Sequence, residues 1–153
     1  MNYWLFKSEP DAFSIDDLYK MPGRKDHWDG IRNYQARNMM RDDMKKGDLG
    51  FFYHSSCAVP AIVGVVTVVK EAYDDHTALD PKSHYFDAKA TKENPRWCMV
   101  DVKYKKRFKT PITLKALKEN RKLKNMTLLK KGNRLSIMPV TSGEWNSIIA
   151  MAE

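Results

Sequence analysis

Twelve consecutive residues, HWDGIRNYQARN at 27 to 38, hold a tryptophan, a tyrosine, two arginines, two asparagines, a glutamine and a glycine, with Ile31 and Ala36 the only aliphatic side chains among them. A segment so poor in apolar groups does not fill a core, and planar polar side chains are an odd choice for a spacer. Their chemistry is that of recognition. Trp28 and Tyr34 offer π-faces for stacking, Asn33 and Asn38 each carry a donor and an acceptor on one amide plane, and Arg32 and Arg37 present forked cations suited to anions. Gly30 permits a turn or a close approach of backbone. The same residues have plainer uses as well: Trp28 suits a core, and Asn33 suits the N-cap of a helix beginning at Tyr34, a role compatible with a place in a site.

Two further short stretches look like walls for the same site. Lys7, Ser8 and Glu9 leave the end of a first strand, YWLFK (3–7), and Tyr53, His54 and Ser55 end a later one, DLGFFYHS (48–55). Ser8 and Ser55 offer rotatable hydroxyls and Lys7 a cation, while a satisfied structural histidine is the competing account of His54. Arg134 and Ser136 lie on a last strand, RLSIMPV (134–140), which Pro139 is expected to stop.

The remaining elements form the frame. SIDDLYK (14–20) reads as a short helix capped by Ser14, and YQARNMMRDDM (34–44) is helical, its methionines serving as core, with Gly47 closing it. AIVGVVTVVKEAY (61–73) is a near-continuous β-branched strand, and WCMVDVKYKKRF (97–108) alternates, turning Val100, Val102 and Tyr104 inward. TLKALKENRK (113–122) is weakly amphipathic, whereas the final helix is well signed, with Thr141 and Glu144 as a capping box ahead of Trp145, Ile148, Ile149 and Ala152. About five strands and four or five helices predict an α+β domain on a small curved sheet or open barrel.

Composition narrows the partners. The 153 residues, 42% hydrophobic, suit one domain with a real core. No apolar run is long enough to cross a bilayer, and MNYWLFKSEP lacks the basic start and apolar length of a secretion signal, so a cytoplasmic or, in a eukaryote, nuclear protein is expected. Cys57 and Cys98 are read as reduced and buried. Lys103 to Arg134 carries 13 Lys or Arg against one acid, Glu119, so the +8 charge is regional. Such a stripe suits a phosphate backbone, or is merely a solvated face. The connection from 74 to 95 is too long to be routine, and it reads as an excursion pinned by Tyr85, Phe86 and Trp97. Its His76, His84, Asp80 and Asp87 fit no regular metal pattern, so no metal is expected.

In chain order, YWLFKSEP, WDGIRNYQARN, GDLGFFYHS, VVKEAYDD with HY and NPRW following, W-x-MVDV and RLSIMPV resemble the EVE domain over almost the whole chain. The resemblance implies a PUA-like fold, a curved mixed sheet or open β-barrel flanked by short helices. Its relative in function is the YTH domain, which seats a methylated adenine in an aromatic cage. A reader of modified bases follows, with family members linked to modified cytosines in DNA. One departure stands out: Met138 occupies a position where the family usually has Gln, so the resemblance implies that a polar contact there is missing or replaced.

An extruded base presents two π-faces and a hydrogen-bonding edge, so a site for it needs an aromatic platform with planar donors and acceptors at the rim. On that reading Lys7, Ser8, Trp28, Asn33, Tyr34, Asn38, Tyr53, His54, Ser55 and Ser136 surround the base. Arg32, Arg37 and Arg134 meet phosphate. Trp28 should then be removable without loss of the fold. The expected partner is nucleic acid carrying a modified base, bound by a monomer without cofactor or metal. The rival is a nucleoside hydrolase of ASCH type using Lys7 with Glu9, against which stands the lack of a complete set of acid, base and nucleophile. A protein-interaction module using the basic stripe would leave residues 27 to 38 idle.

Overall fold

A computed structural model describes residues 1–152. Six strands form one mixed sheet: β1 (Tyr3–Ser8), β2 (Lys25–Trp28), β3 (Leu49–His54), β4 (Ala61–Asp74), β5 (Cys98–Thr113) and β6 (Ile137–Val140), in the order β2-β5-β4-β3-β1-β6. Only the β1–β3 pair is parallel, with Tyr3 opposite Leu49 and Ser8 opposite His54. Four helices flank it: α1 (Ile15–Lys20), α2 (Tyr34–Asp42), α3 (Leu114–Glu119) and α4 (Ser142–Ala152).

Both faces of the sheet are buried, and strand alternation divides the apolar residues between them. Trp4 and Phe6 of β1, Phe52 of β3 and Val100 and Val102 of β5 join Ile15 and Leu18 of α1 and Ala36 and Met40 of α2 in a first core. Leu5, Phe51, Ile62 and Phe108 face a second, closed by Leu117 of α3 and Trp145 and Ile148 of α4. The long β4 and β5 are bulged at several places, among them Ile62/Gly64 and Val65/Val66, and each bulge adds local twist. Gly64 sits at such a place: a Cβ there would come within 2.3 Å of the Lys106 carbonyl oxygen. The sheet coils strongly without closing into a barrel. Trp28, on the β2 edge, meets Phe52 of β3 at 5.5 Å and Phe6 of β1 at 5.2 Å between ring centroids, although several strands separate them in hydrogen-bonding order.

Several elements differ from expectation for identifiable reasons. β2 is a strand the pattern does not show, because KDHW has a single apolar residue, Trp28, and pairs only with β5. β5 runs on to Thr113 rather than stopping at Phe108, and α3 covers only Leu114–Glu119 before a 3₁₀ turn at Arg121–Leu123. Pro139 does not stop a strand but lies inside β6, opposite Trp4, which an edge strand tolerates because one side needs no donor. Residues 134 to 136 precede β6. α2 ends at Asp42, two residues early. Cys98 is buried, but Cys57 is only half-buried. Among the described residues no helix is long and apolar enough to cross a membrane.

Candidate functional site

An open cavity of about 680 Å³ collects the ends of elements remote in sequence. Lys7 and Ser8 close β1, and Glu9, Ala12 and Phe13 follow in the turn to α1. Asp26 to Trp28 close β2, and Asp29 to Ile31 continue from it. Ser55 follows β3, Arg134 to Ser136 lead into β6, and His84 with Tyr85 come from the long connection between β4 and β5. Backbone hydrogen bonds tie these ends together. Lys7 N–H donates to the Ser136 carbonyl at 2.8 Å, and Ser55 N–H to that of Ser8 at 3.0 Å. The Ser8 hydroxyl donates to the Phe13 carbonyl at 2.6 Å, which draws the turn over the end of β1.

One wall is held by a buried carboxylate. Gly30 has φ +76°, and a Cβ there would lie 2.6 Å from the Tyr85 ring, so only glycine lets that ring lie against the backbone. Asp75, fully buried, accepts from Gly30 N–H at 3.1 Å, from Thr77 N–H at 2.9 Å and from Arg32 Nη1 at 3.0 Å. Burial alone would raise the Asp75 pKa, but the bonds from Thr77, Gly30 and Arg32 outweigh it and hold the carboxyl below its ordinary value. Arg32 in turn donates to the Tyr85 carbonyl through Nη2 at 2.6 Å and Nε at 3.1 Å. Asp75 therefore positions Gly30 directly and Tyr85 through Arg32.

The charged lining is mixed. Lys7 is half-buried, and removal from water lowers its pKa. Neither it nor Arg134 makes an ion pair among the described residues. Burial raises the Asp29 pKa, with His27 opposing the rise. The His27 ring stands between two carboxylates, with Nδ1 3.2 Å from Asp26 and Nε2 3.5 Å from Asp29. No group of three potential metal ligands is present among the described residues.

Of the residues the sequence singles out, Lys7, Ser8, Trp28, Ser55, Arg134 and Ser136 come together at this cavity. Glu9 and Gly30 line it as well, whereas Asn33, Tyr34, Asn38, Tyr53, His54, Arg32 and Arg37 do not. Asn33 caps α2, accepting from Ala36 N–H at 3.0 Å. Tyr34 stacks on Trp97 at 4.8 Å and accepts from the Arg96 guanidinium. Asn38 accepts from Arg37 at 2.8 Å, and Arg37 also donates to the Arg96 carbonyl. Tyr53 is buried in the second core because its side chain leaves β3 on the far face. His54 Nε2 accepts from Ile15 N–H at 3.2 Å at the start of α1, a structural role, and burial lowers its pKa. Arg32 spends its guanidinium on Asp75 and Tyr85 rather than on the solvent face. Trp28 is both lining and core: it is 7% exposed and packs edge-on against Phe6, Phe13 and Phe52. Met138 is fully buried in the second core, away from the cavity, with its sulfur 3.7 Å from Asn133 Nδ2.

Tyr85, Asp29 and Phe13 are among the lining residues that the sequence does not place at the site. The length of the 74–95 connection was the available signal for Tyr85, and Asp29 sits within the very stretch that drew attention.

The EVE domain family matches the chain over residues 2–151. The chain belongs to the EVE domain family. Thymocyte nuclear protein 1 of Gallus gallus is 44% identical over 168 residues, covering 99% of this chain and 69% of the relative. Human THYN1 protein in complex with 5-methylcytosine-containing DNA superposes with a TM-score of 0.96 at 40% identity, covering 100% of this chain and 98% of that one. A protein from Pseudomonas syringae, 53% identical with 99% of each chain covered, gives a TM-score of 0.93. The six-stranded open sheet with its flanking helices is thus the PUA-like EVE fold. An ASCH protein from Zymomonas mobilis, 9% identical at a TM-score of 0.56 with 100% of each chain covered, shares the fold alone with this EVE domain.

Proposed function

We propose that this chain reads a modified base in nucleic acid, taking one extruded base into the cavity and leaving it chemically unchanged. The observation that carries the reading is the convergence of aromatic, polar and cationic groups on one open cavity: Trp28 and Tyr85 beside Ser8, Ser55 and Asp29, with Lys7 and Arg134 free of carboxylate partners among the described residues. A flipped base needs a π-surface and edge partners, and the adjoining phosphates need cations. The human structure bound to 5-methylcytosine DNA, alike over the whole chain, supports a modified cytosine as the base. Exposed Lys103, Lys105, Lys106 and Lys109 on β5 offer a further positive surface of the kind that suits a phosphate backbone.

Binding without turnover fits how the candidate nucleophiles and bases are used. Ser8 donates its hydroxyl to a carbonyl and His54 spends its free nitrogen on a backbone N–H. The hydrolase alternative draws on Lys7 and Glu9, which both line the cavity, but among the described residues neither side chain is hydrogen-bonded to a serine or histidine that it could activate.

The test is binding by fluorescence anisotropy to short single- and double-stranded DNA and RNA oligomers, each carrying one 5-methylcytosine, 5-hydroxymethylcytosine or N6-methyladenine beside an unmodified control. A preference for a modified oligomer with no change in its mass is the expected result. Equal affinity for every modified oligomer and its control sinks the reading, and release of an altered base favours the hydrolase.

A further inference from the structure

The carboxylates around the cavity are not equivalent. Asp75 is fully buried and saturated by Gly30, Thr77 and Arg32. Asp26 accepts from the backbone N–H of His27 at 2.8 Å and lies 3.2 Å from its Nδ1. Glu9 is exposed in the lining. Asp29 alone of these is half-buried in the lining with no firm bond from another residue among the described residues: its side chain is 26% exposed, its own backbone N–H is its one donor, and His27 Nε2 lies at 3.5 Å. That separation is beyond an ordinary N–H···O bond. A carboxylate that has lost water and is met only by its own backbone N–H keeps open acceptor sites, and here it stands one residue from Trp28 and one from the glycine on which the Tyr85 ring rests.

We infer that Asp29 is the specificity-determining acceptor for the exocyclic amino group of the extruded base, so that the cavity takes 4-amino pyrimidines and rejects their 4-oxo counterparts. The inference rests on the reading of the chain as a base reader and deepens it. Thymine and 5-methylcytosine have the same outline, with the same methyl group on C5, and a pocket that recognises only shape and methyl cannot separate them. They differ along the edge that a carboxylate meets: cytosine offers the N4 amino hydrogens, whereas thymine offers the O4 lone pairs. An acceptor facing O4 is left unpaired in a half-dry site. The 6-amino group of adenine carries the same donor chemistry, so the cytosine–thymine pair isolates the amino group from base size.

The experiment compares wild-type protein and Asp29→Asn against one DNA sequence bearing 5-methylcytosine, thymine or unmodified cytosine at a single position. Wild type should favour 5-methylcytosine over thymine by roughly tenfold to a hundredfold, the discrimination carried by a base-edge contact. In Asp29→Asn, whose amide both donates and accepts, that ratio should fall to within about threefold, an expectation from the amide's two-way hydrogen bonding. Thermal unfolding of each protein guards against a folding defect, and Asp29→Ser, which removes the carboxylate with less bulk, should collapse the ratio likewise. A wild-type protein blind to the difference, or a folded Asp29→Asn that keeps the full ratio, overturns the inference. Failure of the parent reading looks different: wild type then binds 5-methylcytosine no better than unmodified cytosine, whatever its behaviour toward thymine.

Discussion

Replacing Arg32 by Met separates two accounts of that residue. As a phosphate ligand, Arg32 would be expendable for folding, and its loss would weaken binding to modified and unmodified oligomers alike while flattening the salt dependence by about one unit of slope. The structure makes it a strut instead. Its guanidinium meets the fully buried Asp75 at 3.0 Å and the Tyr85 carbonyl at 2.6 Å. Breaking a buried pair from one side costs about 3–5 kcal/mol. Arg32 keeps 23% of its side chain exposed and Asp75 retains Thr77 and Gly30, so the lower figure of about 2–3 kcal/mol is appropriate here. For a domain of this size that corresponds to a fall in Tm of roughly 4–12 °C. Asp75 supplies the pH signature. Its folded pKa is depressed, so its contribution is present above the unfolded carboxylate value and is lost as pH falls through the folded one. The stability gap between wild type and Arg32→Met should be full at neutral pH and close in strong acid. Urea unfolding across pH, with salt titrations of binding, measures both. An unchanged unfolding midpoint with a flattened salt slope refutes the strut.

Trp28→Ala should lose about 3–5 kcal/mol of stability by denaturant titration, because the ring packs on Phe6, Phe13 and Phe52 as well as lining the cavity. Charge reversal at Lys103 and Lys105 should weaken binding to modified and unmodified oligomers by similar factors and flatten the salt slope by about one unit per lost contact, whereas an unchanged slope makes the stripe a solvated face. Burial lowers the His54 pKa, so the unfolded chain binds its proton more readily and stability should fall as pH drops below about 6.5. His54→Gln should flatten that part of the unfolding profile, read as midpoint against pH.

What the sequence made legible were groups whose role is local. Asn33 and Thr141 cap the helices that follow them, as their positions ahead of Ala36 and Glu144 implied, and the alternation of β5 around Val100 and Val102 places both in the core. Lys7, Ser8 and Ser55 meet at one cavity because the strands that end in them are parallel neighbours, with Ser8 opposite His54. Arg32 and Arg37 show where such reading stops. An arginine in a polar stretch carries no mark of what it will meet, and their partners, Asp75, Tyr85 and Arg96, arrive from more than forty residues away along a connection without periodicity. Trp28 was ambiguous for a related reason: a lone apolar residue on an edge strand gives no pattern, and only the coil of the sheet brings it onto Phe6 and Phe52. The same coil accounts for the cavity. A flat sheet of this order would hold β1 and β2 far apart, with Lys7 and Asp29 on separate surfaces. The bulges of β4 and β5 that bend it are thus as much a condition of the site as the side chains lining it, and β-branched runs such as AIVGVV record burial without recording where a strand will bend.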